Sequence, residues 1–319
     1  MIRKSLLVVL SLFLFIIFST QEVKAVDDNN TLESDIQEGN KMITKENPMI
    51  YEFDLNAEDD RMHKADGWSN GEMFNNTWRA NNVFFEDQKM NLLIDLDGEN
   101  ANPLYSGGEY RSNDNYHYGL YEVRMKPIKN DGVVSSFFTY TGPSEDNPWD
   151  EIDIEFLGKD TTSVQFNYFT NGEGEHEYSY ELGFDASEEY HTYAFEWLPD
   201  SITWFVDGKE IHTATENIPT TPSKVMMNVW PGIGVDSWLN EFDGNVPLIA
   251  KYDWFRITQY KMTEADKTET KQTDNPVSSN DDKKTHEKNE KSYWGIVGGL
   301  GLFIGIGSAI YFKLNKRKK

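Results

Sequence analysis

Short runs in which apolar and polar side chains alternate recur along the middle of the chain, and this period constrains the fold more than any other feature. A period of two residues is typical of a β-strand whose two faces meet different surroundings. No long stretch between residues 49 and 260 has the apolar period of a helix. The predicted strands are Tyr118–Met125, Val133–Tyr140, Ile152–Phe156, Ser163–Tyr168, His191–Trp197, Ile202–Val206, Lys224–Trp230 and Tyr252–Tyr260.

Turn residues separate these runs. Asp207-Gly208, between Ile202–Val206 and Lys209–His212, is a typical hairpin signal. Many short strands at this spacing form a sandwich or a barrel, and about 210 residues is within the range of one such domain. The sequence therefore predicts a single all-β domain at 49–260.

The N-terminus has the features of a secretory signal peptide. Two basic residues precede an apolar run from Leu6 to Phe18, and Val23-Lys24-Ala25 resembles a small-x-small cleavage site. The run is short for a membrane span, which favours cleavage over retention as an anchor. We therefore expect a signal peptide at 1–25 and export of the chain, followed by a polar, disordered leader at 26–48.

A second hydrophobic segment lies near the C-terminus. Residues 293–312 carry no charge and are long enough to cross a bilayer as a helix. The tail 313–319 is basic and positive charge stays cytoplasmic, so the domain is expected outside the cell. The sequence thus predicts a C-terminal transmembrane helix, reached through a flexible polar linker at 261–292, that anchors the exported domain in the cell membrane.

The chain has no cysteine and a formal net charge of -24. An exported protein without cysteine is held together by core packing or a bound metal rather than by disulfides. The negative charge argues against nucleic acid and anionic polymers as partners, because both would be repelled. It suits a neutral substrate, although solubility at a cell surface explains the same composition.

The segment 149–158 carries the strongest chemical signal. Side chains alternate between the two faces of a strand, so Glu151, Asp153 and Glu155 are predicted to point to one side. The interleaved apolar residues then point to the other side, into a core. Three carboxylates in one row repel each other, and like charges at close range raise at least one pKa, so that a proton is retained near neutral pH.

Glycoside hydrolysis is one use for such a row. A retaining enzyme needs two carboxyl groups about 5–5.5 Å apart, one as nucleophile and one as acid/base. Residues four apart on an extended strand have Cα atoms roughly 13 Å apart, so strand twist and side-chain reach must bring Glu151 and Glu155 together. The alternative is a solvated acidic strand face, which usually has cations interleaved. No cation is interleaved here, and the residues alone leave both interpretations open.

Tryptophans give the second chemical signal, because the apolar faces of sugar rings stack on such side chains. Trp197 and Trp204 lie in alternating runs and are predicted core residues. Trp230 and Trp238 flank a Pro-Gly loop and are better candidates for a sugar platform.

The region around the carboxylates resembles the active-site region of bacterial lichenases, the mixed-linkage β-glucanases of glycoside hydrolase family 16. In this chain it reads WDEIDIEFLGKDTTSVQFNYFTNGEGEHE. The likeness continues through KADGWSNGEMFNNTWRANN, EYRSNDNYHYGLYEVRMKPIKNDGVVSSFFTYTGP, LGFDASEEYHTYAFEW and KYDWFRI, and it covers essentially the whole domain. The resemblance implies a concanavalin-like β-jelly-roll sandwich of two antiparallel sheets, with a concave sheet that binds a β-glucan.

The resemblance also implies roles for individual residues. In the family's DEIDIEF pattern the first Glu, here Glu151, is the nucleophile of a retaining double displacement, and the last, Glu155, is the general acid/base. Asp153 tunes its neighbours, and the chemistry needs no cofactor. The family's cleft residues fall on Asn70, Glu109, Arg111, Phe138, Tyr140, Trp149, Gln165, Asn167, Asn228, Trp230 and Trp238. For Arg111, a structural ion pair with Glu109 is the alternative to sugar binding.

A structural calcium on the convex side is a further implication of the resemblance. One side-chain oxygen comes from the Asp of the YDW motif, which falls on Asp253. The other ligands are largely backbone carbonyls and water, and hard oxygen ligands suit calcium. Asp253 is thus the predicted metal residue, with capping or bridging of strands as the alternative. The catalytic domain itself is expected to be monomeric.

Three other functions fit parts of this pattern. A β-1,3-glucanase of the same family usually carries an extra residue before the last Glu, and the uninterrupted EIDIE segment argues against it. A xyloglucan-acting enzyme shares DEID-x-EFLG, but the flanking segments favour a lichenase. A non-catalytic glucan-binding surface protein is expected to have lost one Glu, and both are present.

Overall fold

The computed structural model describes residues 36–38 and 41–264. The chain divides into two units, 1–34 and 35–319, and every described residue belongs to the second. Within these described residues, the helices are two 3-10 turns, Ala80–Asn82 and Pro143–Glu145, and one short helix, α1 (Asp236–Leu239). The strands are β1 (Ile36–Glu38), β2 (Lys41–Asp54), β3 (Met62–Lys64), β4 (Asn76–Trp78), β5 (Val83–Glu86), β6 (Lys89–Leu96), β7 (Tyr105–Ser112), β8 (Gly119–Lys126), β9 (Val133–Thr141), β10 (Asp150–Leu157), β11 (Ser163–Phe169), β12 (Tyr178–Glu181), β13 (His191–Leu198), β14 (Ser201–Val206), β15 (Lys209–Ala214), β16 (Lys224–Pro231) and β17 (Leu248–Glu264).

These strands form the two antiparallel sheets of a jelly-roll sandwich, as predicted. Sheet I has the order β3-β7-β16-β9-β10-β11-β12. Sheet II has the order β15-β14-β13-β8-β17, with β2 and β6 sharing the far side of β17 and β5 following β6. The short β1 pairs with β2, while β4 and the end of β6 pair with β7 and join the edges of the two sheets. Strand β10, which carries the three carboxylates, is thus paired on both sides within sheet I.

The core lies between the sheets and is rich in aromatic side chains. Phe166 of sheet I stacks on Trp204 of sheet II, with ring centroids 5.6 Å apart, and Phe137 lies 6.1 Å from Phe255. Trp197 and Trp204 are fully buried, which confirms both as core residues. Burying one large apolar side chain stabilises a fold by about 1.5–3 kcal/mol, so this layer fixes how the two sheets face each other.

All eight predicted strands are confirmed, and so is the hairpin turn between β14 and β15. Asp207 and Gly208 have φ values of 49° and 76°, the left-handed pair that a tight two-residue turn requires. The alternation on β10 is confirmed as well, because Ile152, Ile154 and Phe156 all lie in the core.

The domain boundaries differ from the predicted ones. Strand β2 begins at Lys41, inside the predicted disordered leader, and β17 runs to Glu264, inside the predicted linker. These two ends pair with each other, and Ile43 is buried. A polar segment forms a strand here because its main chain is paired by a partner far away in the sequence, which local composition does not reveal.

No helix in the described part of the chain is both long and apolar enough to cross a bilayer. The predicted signal peptide at 1–25, the transmembrane helix at 293–312 and the basic tail at 313–319 lie outside the described residues, as do residues 265–292 of the predicted linker.

Candidate active site

The register of sheet I arranges most of the predicted site residues in three rows, on the face that points away from the core. Neighbouring rows are two residues apart along each strand, so the three carboxylates of β10 occupy three successive rows. The first row is Gln165, Glu155, Ser136, Asn228 and Glu109, the second is Asn167, Asp153, Phe138, Met226 and Arg111, and the third is Phe169, Glu151, Tyr140 and Lys224.

A pocket opens over these rows. The three carboxylates lie at its floor, where Glu151 and Asp153 are 1% exposed and Glu155 is 2% exposed. Strand β10 keeps an unbroken register with both neighbours, so the spacing of the carboxylates is fixed by main-chain pairing. The pocket is lined by Ser136, Phe138, Glu151, Asp153, Glu155, Asn228 and Trp230.

The first and last carboxylates are each oriented by a hydrogen-bond donor. The indole Nε1 of Trp149 donates to Oε2 of Glu151 at 2.6 Å. The amide Nε2 of Gln165 donates to Oε2 of Glu155 at 3.0 Å. Trp238 Nε1 in turn donates to Oε1 of Gln165 at 3.2 Å, which fixes the orientation of that amide. Trp149, Gln165 and Trp238 therefore position the two carboxylates.

Burial raises the pKa of both Glu151 and Asp153 well above the ordinary carboxyl range, because a charge is poorly solvated in this pocket. The charges of Glu151 and Glu155 raise the pKa of Asp153 further. A hydrogen bond between Asp153 and Glu151 raises the pKa of Asp153 and lowers that of Glu151. Oε1 of Glu151 and Oδ2 of Asp153 receive no hydrogen bond from another group among the described residues. The hydrogen bond between the two groups therefore favours the protonated form of Asp153 and the charged form of Glu151.

A second buried polar network lies in the first row. Ser136 Oγ donates to Oδ1 of Asn228 at 2.6 Å, and Asn228 Nδ2 donates to Oε2 of Glu109 at 3.3 Å. Burial raises the pKa of Glu109, and the charge of Arg111 opposes that shift. Arg111 Nη1 lies 3.5 Å from Oε1 of Glu109, so the ion pair considered as an alternative for Arg111 is present, at long range.

Aromatic side chains form one wall of the site. Trp149 is stacked on Phe169, with ring centroids 4.5 Å apart and planes 14° apart. Phe138 and Tyr140 lie beside them, and burial raises the pKa of the Tyr140 hydroxyl. Asn167 is fully buried beside Asp153, and neither polar atom of its amide has a hydrogen-bond partner within the described chain. The amide of Asn167 is therefore a buried polar group without a partner among the described residues, in the same row as Asp153.

The remaining predicted cleft residues lie outside the three rows. Asn70 accepts a hydrogen bond from Trp78 Nε1 at 2.9 Å. Trp230 lines the pocket but is only 1% exposed, since it packs against Phe74 at 4.2 Å. Trp238 lies 6.0 Å from Trp230. Both tryptophans thus belong to a small buried cluster beside the pocket, and little of either ring face is open.

Asp150 and Ser136 are among the residues of the site that were not predicted from the sequence. Asp150 accepts backbone N–H groups from Asn171 at 2.9 Å and from Thr220 and Thr221 at 3.1 and 3.0 Å, and thereby ties two loops to the start of β10. The sequence signal that could have identified Asp150 is a charged residue at a core-facing strand position. Ser136 lines the pocket, and its signal was a hydroxyl within an otherwise apolar run.

Asp253, the predicted metal residue, lies in sheet II, away from the pocket. Its carboxylate contacts two cations, Lys89 at 2.9 Å and Arg124 at 2.6 Å. Bridging of strands was the alternative considered for this residue, and these two contacts connect Asp253 to the neighbouring strands.

Comparison with known proteins identifies the family of the chain. The profile of "Glycosyl hydrolases family 16" matches residues 70–256. A β-glucanase of Paenibacillus polymyxa is 64% identical over 196 residues, which cover 61% of this chain and 81% of that protein. A β-glucanase of Bacillus subtilis (strain 168) is 62% identical over 199 residues, 61% of this chain and 80% of that protein.

Solved structures share the fold. A β-1,3-1,4-glucanase (lichenase) derived from a mouse hindgut metagenome matches with a TM-score of 0.65 and 54% identity, over 66% of this chain and 99% of that one. A Bacillus licheniformis β-glucanase matches with a TM-score of 0.64 and 56% identity, over 66% of this chain and 98% of that one. The family profile covers more than half of the sequence, and the chain belongs to family 16 of the glycosyl hydrolases.

Proposed function

We propose that this protein is an endo-acting, retaining glycoside hydrolase that cleaves β-1,4 bonds in mixed-linkage β-1,3-1,4-glucan. The observation that carries the proposal is the buried row of Glu151, Asp153 and Glu155 on one pocket floor, in a chain about 60% identical to β-glucanases. A pocket that buries carboxylates without a neutralising cation beside each of them costs stability, and catalysis is the use that explains it.

The first step is transfer of the sugar to the enzyme. Glu155 donates its proton to the glycosidic oxygen while the carboxylate of Glu151 attacks the anomeric carbon. The bond from that carbon to the leaving oxygen breaks, and its electron pair goes to the oxygen that receives the proton. The product is a covalent ester between the sugar and Glu151.

The second step releases the sugar. Glu155, now ionised, removes a proton from water, and the water oxygen attacks the anomeric carbon as Glu151 departs with the bonding pair. Two inversions give net retention. In the intermediate Glu151 is an uncharged ester, so one of the charges that hold the proton on Asp153 is absent until Glu151 is released.

The surroundings of the carboxylates suit a neutral polysaccharide. Asn228 and Ser136 line the pocket beside them, and the amide of Asn167 has no hydrogen-bond partner among the described residues. Sugar hydroxyls act as both donors and acceptors, so they can pair with such amide and hydroxyl groups. The formal net charge of -24 does not repel an uncharged chain.

The proposal includes the location of the enzyme. A signal peptide at 1–25 and a membrane helix at 293–312 would place the domain outside the cell and keep it at the surface. The support is the hydrophobic pattern and the basic tail. Protease treatment of intact cells tests this location, since the domain is cleaved from outside only if it is exposed there.

The test of activity is reducing-end release by the full-length protein on barley β-glucan, laminarin, carboxymethylcellulose and xyloglucan in parallel. We expect activity chiefly on barley β-glucan, and expect Glu151→Gln and Glu155→Gln to abolish it. Glu181→Gln, which changes an exposed glutamate, is the control and should keep full activity. Activity mainly on laminarin or xyloglucan would change the substrate, and no activity on any glucan from folded protein would favour a binding protein.

A further inference from the structure

The carboxylate of Asp253 lies between two cations contributed by the neighbouring strands. Lys89 Nζ lies 2.9 Å from Oδ1, and Arg124 Nη1 lies 2.6 Å from Oδ2. Lys89 begins β6 and Arg124 lies in β8, and these strands pair with β17 on its two sides. The Asp253 side chain therefore joins three adjacent strands of sheet II.

The backbone at Asp253 is irregular, which gives this contact a structural role. The register between β17 and β8 shifts between Tyr252 and Trp254, so Asp253 occupies a β-bulge. A bulged residue is left out of the ladder of main-chain hydrogen bonds. The ion pairs with Lys89 and Arg124 supply connections across the strands at the point where regular pairing with β8 is interrupted.

The two cations both lie near the aromatic ring of Tyr190. The guanidinium carbon of Arg124 lies 5.2 Å from the centre of the Tyr190 ring, and Lys89 Nζ lies 5.8 Å from it. Arg124 Nη2 also donates to the backbone carbonyl of Tyr190 at 3.5 Å. An aromatic face attracts cations, so Tyr190 favours the positions in which both side chains reach Asp253.

This set of groups does not fit a calcium ion. Calcium takes about six to eight oxygen ligands, and a neighbouring ammonium and guanidinium would repel it. Both oxygens of Asp253 are occupied by cations, and its backbone carbonyl accepts a hydrogen bond from Leu55 N at 3.3 Å.

We propose that Lys89 and Arg124 replace a structural calcium at Asp253, and that the stability of this domain does not depend on calcium. The contact is partly buried, with side-chain exposures of 22% for Asp253, 24% for Lys89 and 36% for Arg124. Partial burial and the sharing of one carboxylate by two cations make it stronger than an ordinary exposed ion pair. The inference concerns sheet II and is independent of the assigned catalytic roles.

The first test measures the melting temperature of the full-length protein in millimolar calcium chloride, in magnesium chloride and in EGTA. An ion bound far above its dissociation constant raises the Tm of a domain of this size by several degrees. We expect the three values to agree within error. A saturable rise with calcium that magnesium does not reproduce would overturn the proposal.

The second test measures the contribution of the contact with EGTA present throughout. Asp253→Asn should lower the Tm, and Lys89→Met should lower it by a smaller amount because one of the two contacts remains. Asp54→Asn is the matched control, since Asp54 lies on the paired strand β2 and is exposed, and it should leave the Tm unchanged. If Asp253→Asn does not fold, Lys89→Met provides the comparison. Equal Tm values for the Asp253 or Lys89 variant and the control contradict the assigned role.

Discussion

The indole N–H of Trp149 donates a 2.6 Å hydrogen bond to the carboxylate of Glu151, two residues further along the chain. A hydrogen bond to the charged form of a carboxyl group lowers its pKa. Trp149→Phe removes this donor, so the pKa of Glu151 rises further. Because Glu151 must be ionised to attack, we expect the acidic limb of the kcat/KM profile to move upward by about one pH unit.

The pH–rate profile of hydrolysis measures this shift directly. Trp68→Phe is the matched control, because Trp68 is 40% exposed and the same substitution there leaves Glu151 untouched. An unchanged acidic limb in Trp149→Phe, together with reduced activity, would assign Trp149 to sugar binding alone.

Phe169 is expected to act through Trp149. Its ring stacks on the indole at 4.5 Å and packs so closely on Gly174 that a Cβ at that position would lie 2.4 Å from it, so the ring has little room to move. Phe169→Leu should lower kcat/KM about tenfold and move the acidic limb in the same direction as Trp149→Phe. Phe169→Tyr keeps the ring and should keep both values. A loss in Phe169→Leu without a pH shift would indicate a purely steric role.

Glu151→Gln should melt at a higher temperature than the natural protein at neutral pH. The folded-state pKa of Glu151 is raised, so the folded protein binds this proton more tightly than the unfolded chain does. The corresponding stability is present below the unfolded pKa of about 4.3 and is lost as the pH rises through the folded pKa. Glutamine does not ionise, so the variant keeps this stability at pH 7. A gain of about 1 kcal/mol in the free energy of unfolding corresponds to roughly 2–4 °C in Tm.

Thermal unfolding of both proteins at several pH values shows whether the substitution raises or lowers the Tm. The difference in Tm should be positive at pH 7 and should vanish near pH 3, about one unit below the unfolded pKa, where Glu151 is protonated in both states. Glu181→Gln, an exposed change of the same type, should show no such trend. A lower Tm for Glu151→Gln at pH 7 would mean that the charged group is stabilised in the fold.

Trp204 connects the core to the catalytic strand, because its Nε1 donates to the backbone carbonyl of Asp153 at 3.1 Å. Trp197 is equally buried, and its Nε1 donates to the carbonyl of Pro219 at 2.8 Å, in a loop and not on that strand. Either change to Phe loses one hydrogen bond and some packing, and should cost about 1–3 kcal/mol. Only Trp204→Phe should also lower kcat. Equal kcat losses in the two variants would show that the core acts on the site through stability alone.

The arrangement along β10 was predictable from the sequence, whereas the arrangement across the sheet was not. A period of two residues is enough to place Glu151, Asp153 and Glu155 on one face. Their neighbours Ser136 and Gln165 come from other strands, and the register that aligns them is set by loops and core packing. Family resemblance identified Gln165 but not its hydrogen bond to Glu155.

The partners of Asp150 and Asp253 could not be predicted from the sequence, for the same physical reason. Asp150 occupies a core-facing position, yet its carboxylate accepts N–H groups from loops that alternation cannot locate. Asp253 was predicted to bind a metal or to bridge strands, and Arg124, 129 residues away in the sequence, contacts it in the fold. The local sequence pattern predicts the face of the strand to which a side chain points. The group that pairs with that side chain depends on tertiary structure.

The most direct measurement is identification of the residue that becomes covalently bound to sugar. A mixed-linkage oligosaccharide with a 2-fluoro substituent and a good leaving group forms the ester quickly and hydrolyses slowly, so the intermediate accumulates. Mass spectrometry of the digested protein should then place one sugar adduct on Glu151, with none in Glu151→Gln. An adduct on Asp153 or Glu155, or steady turnover with no adduct at all, would contradict the assignment of Glu151 as the nucleophile.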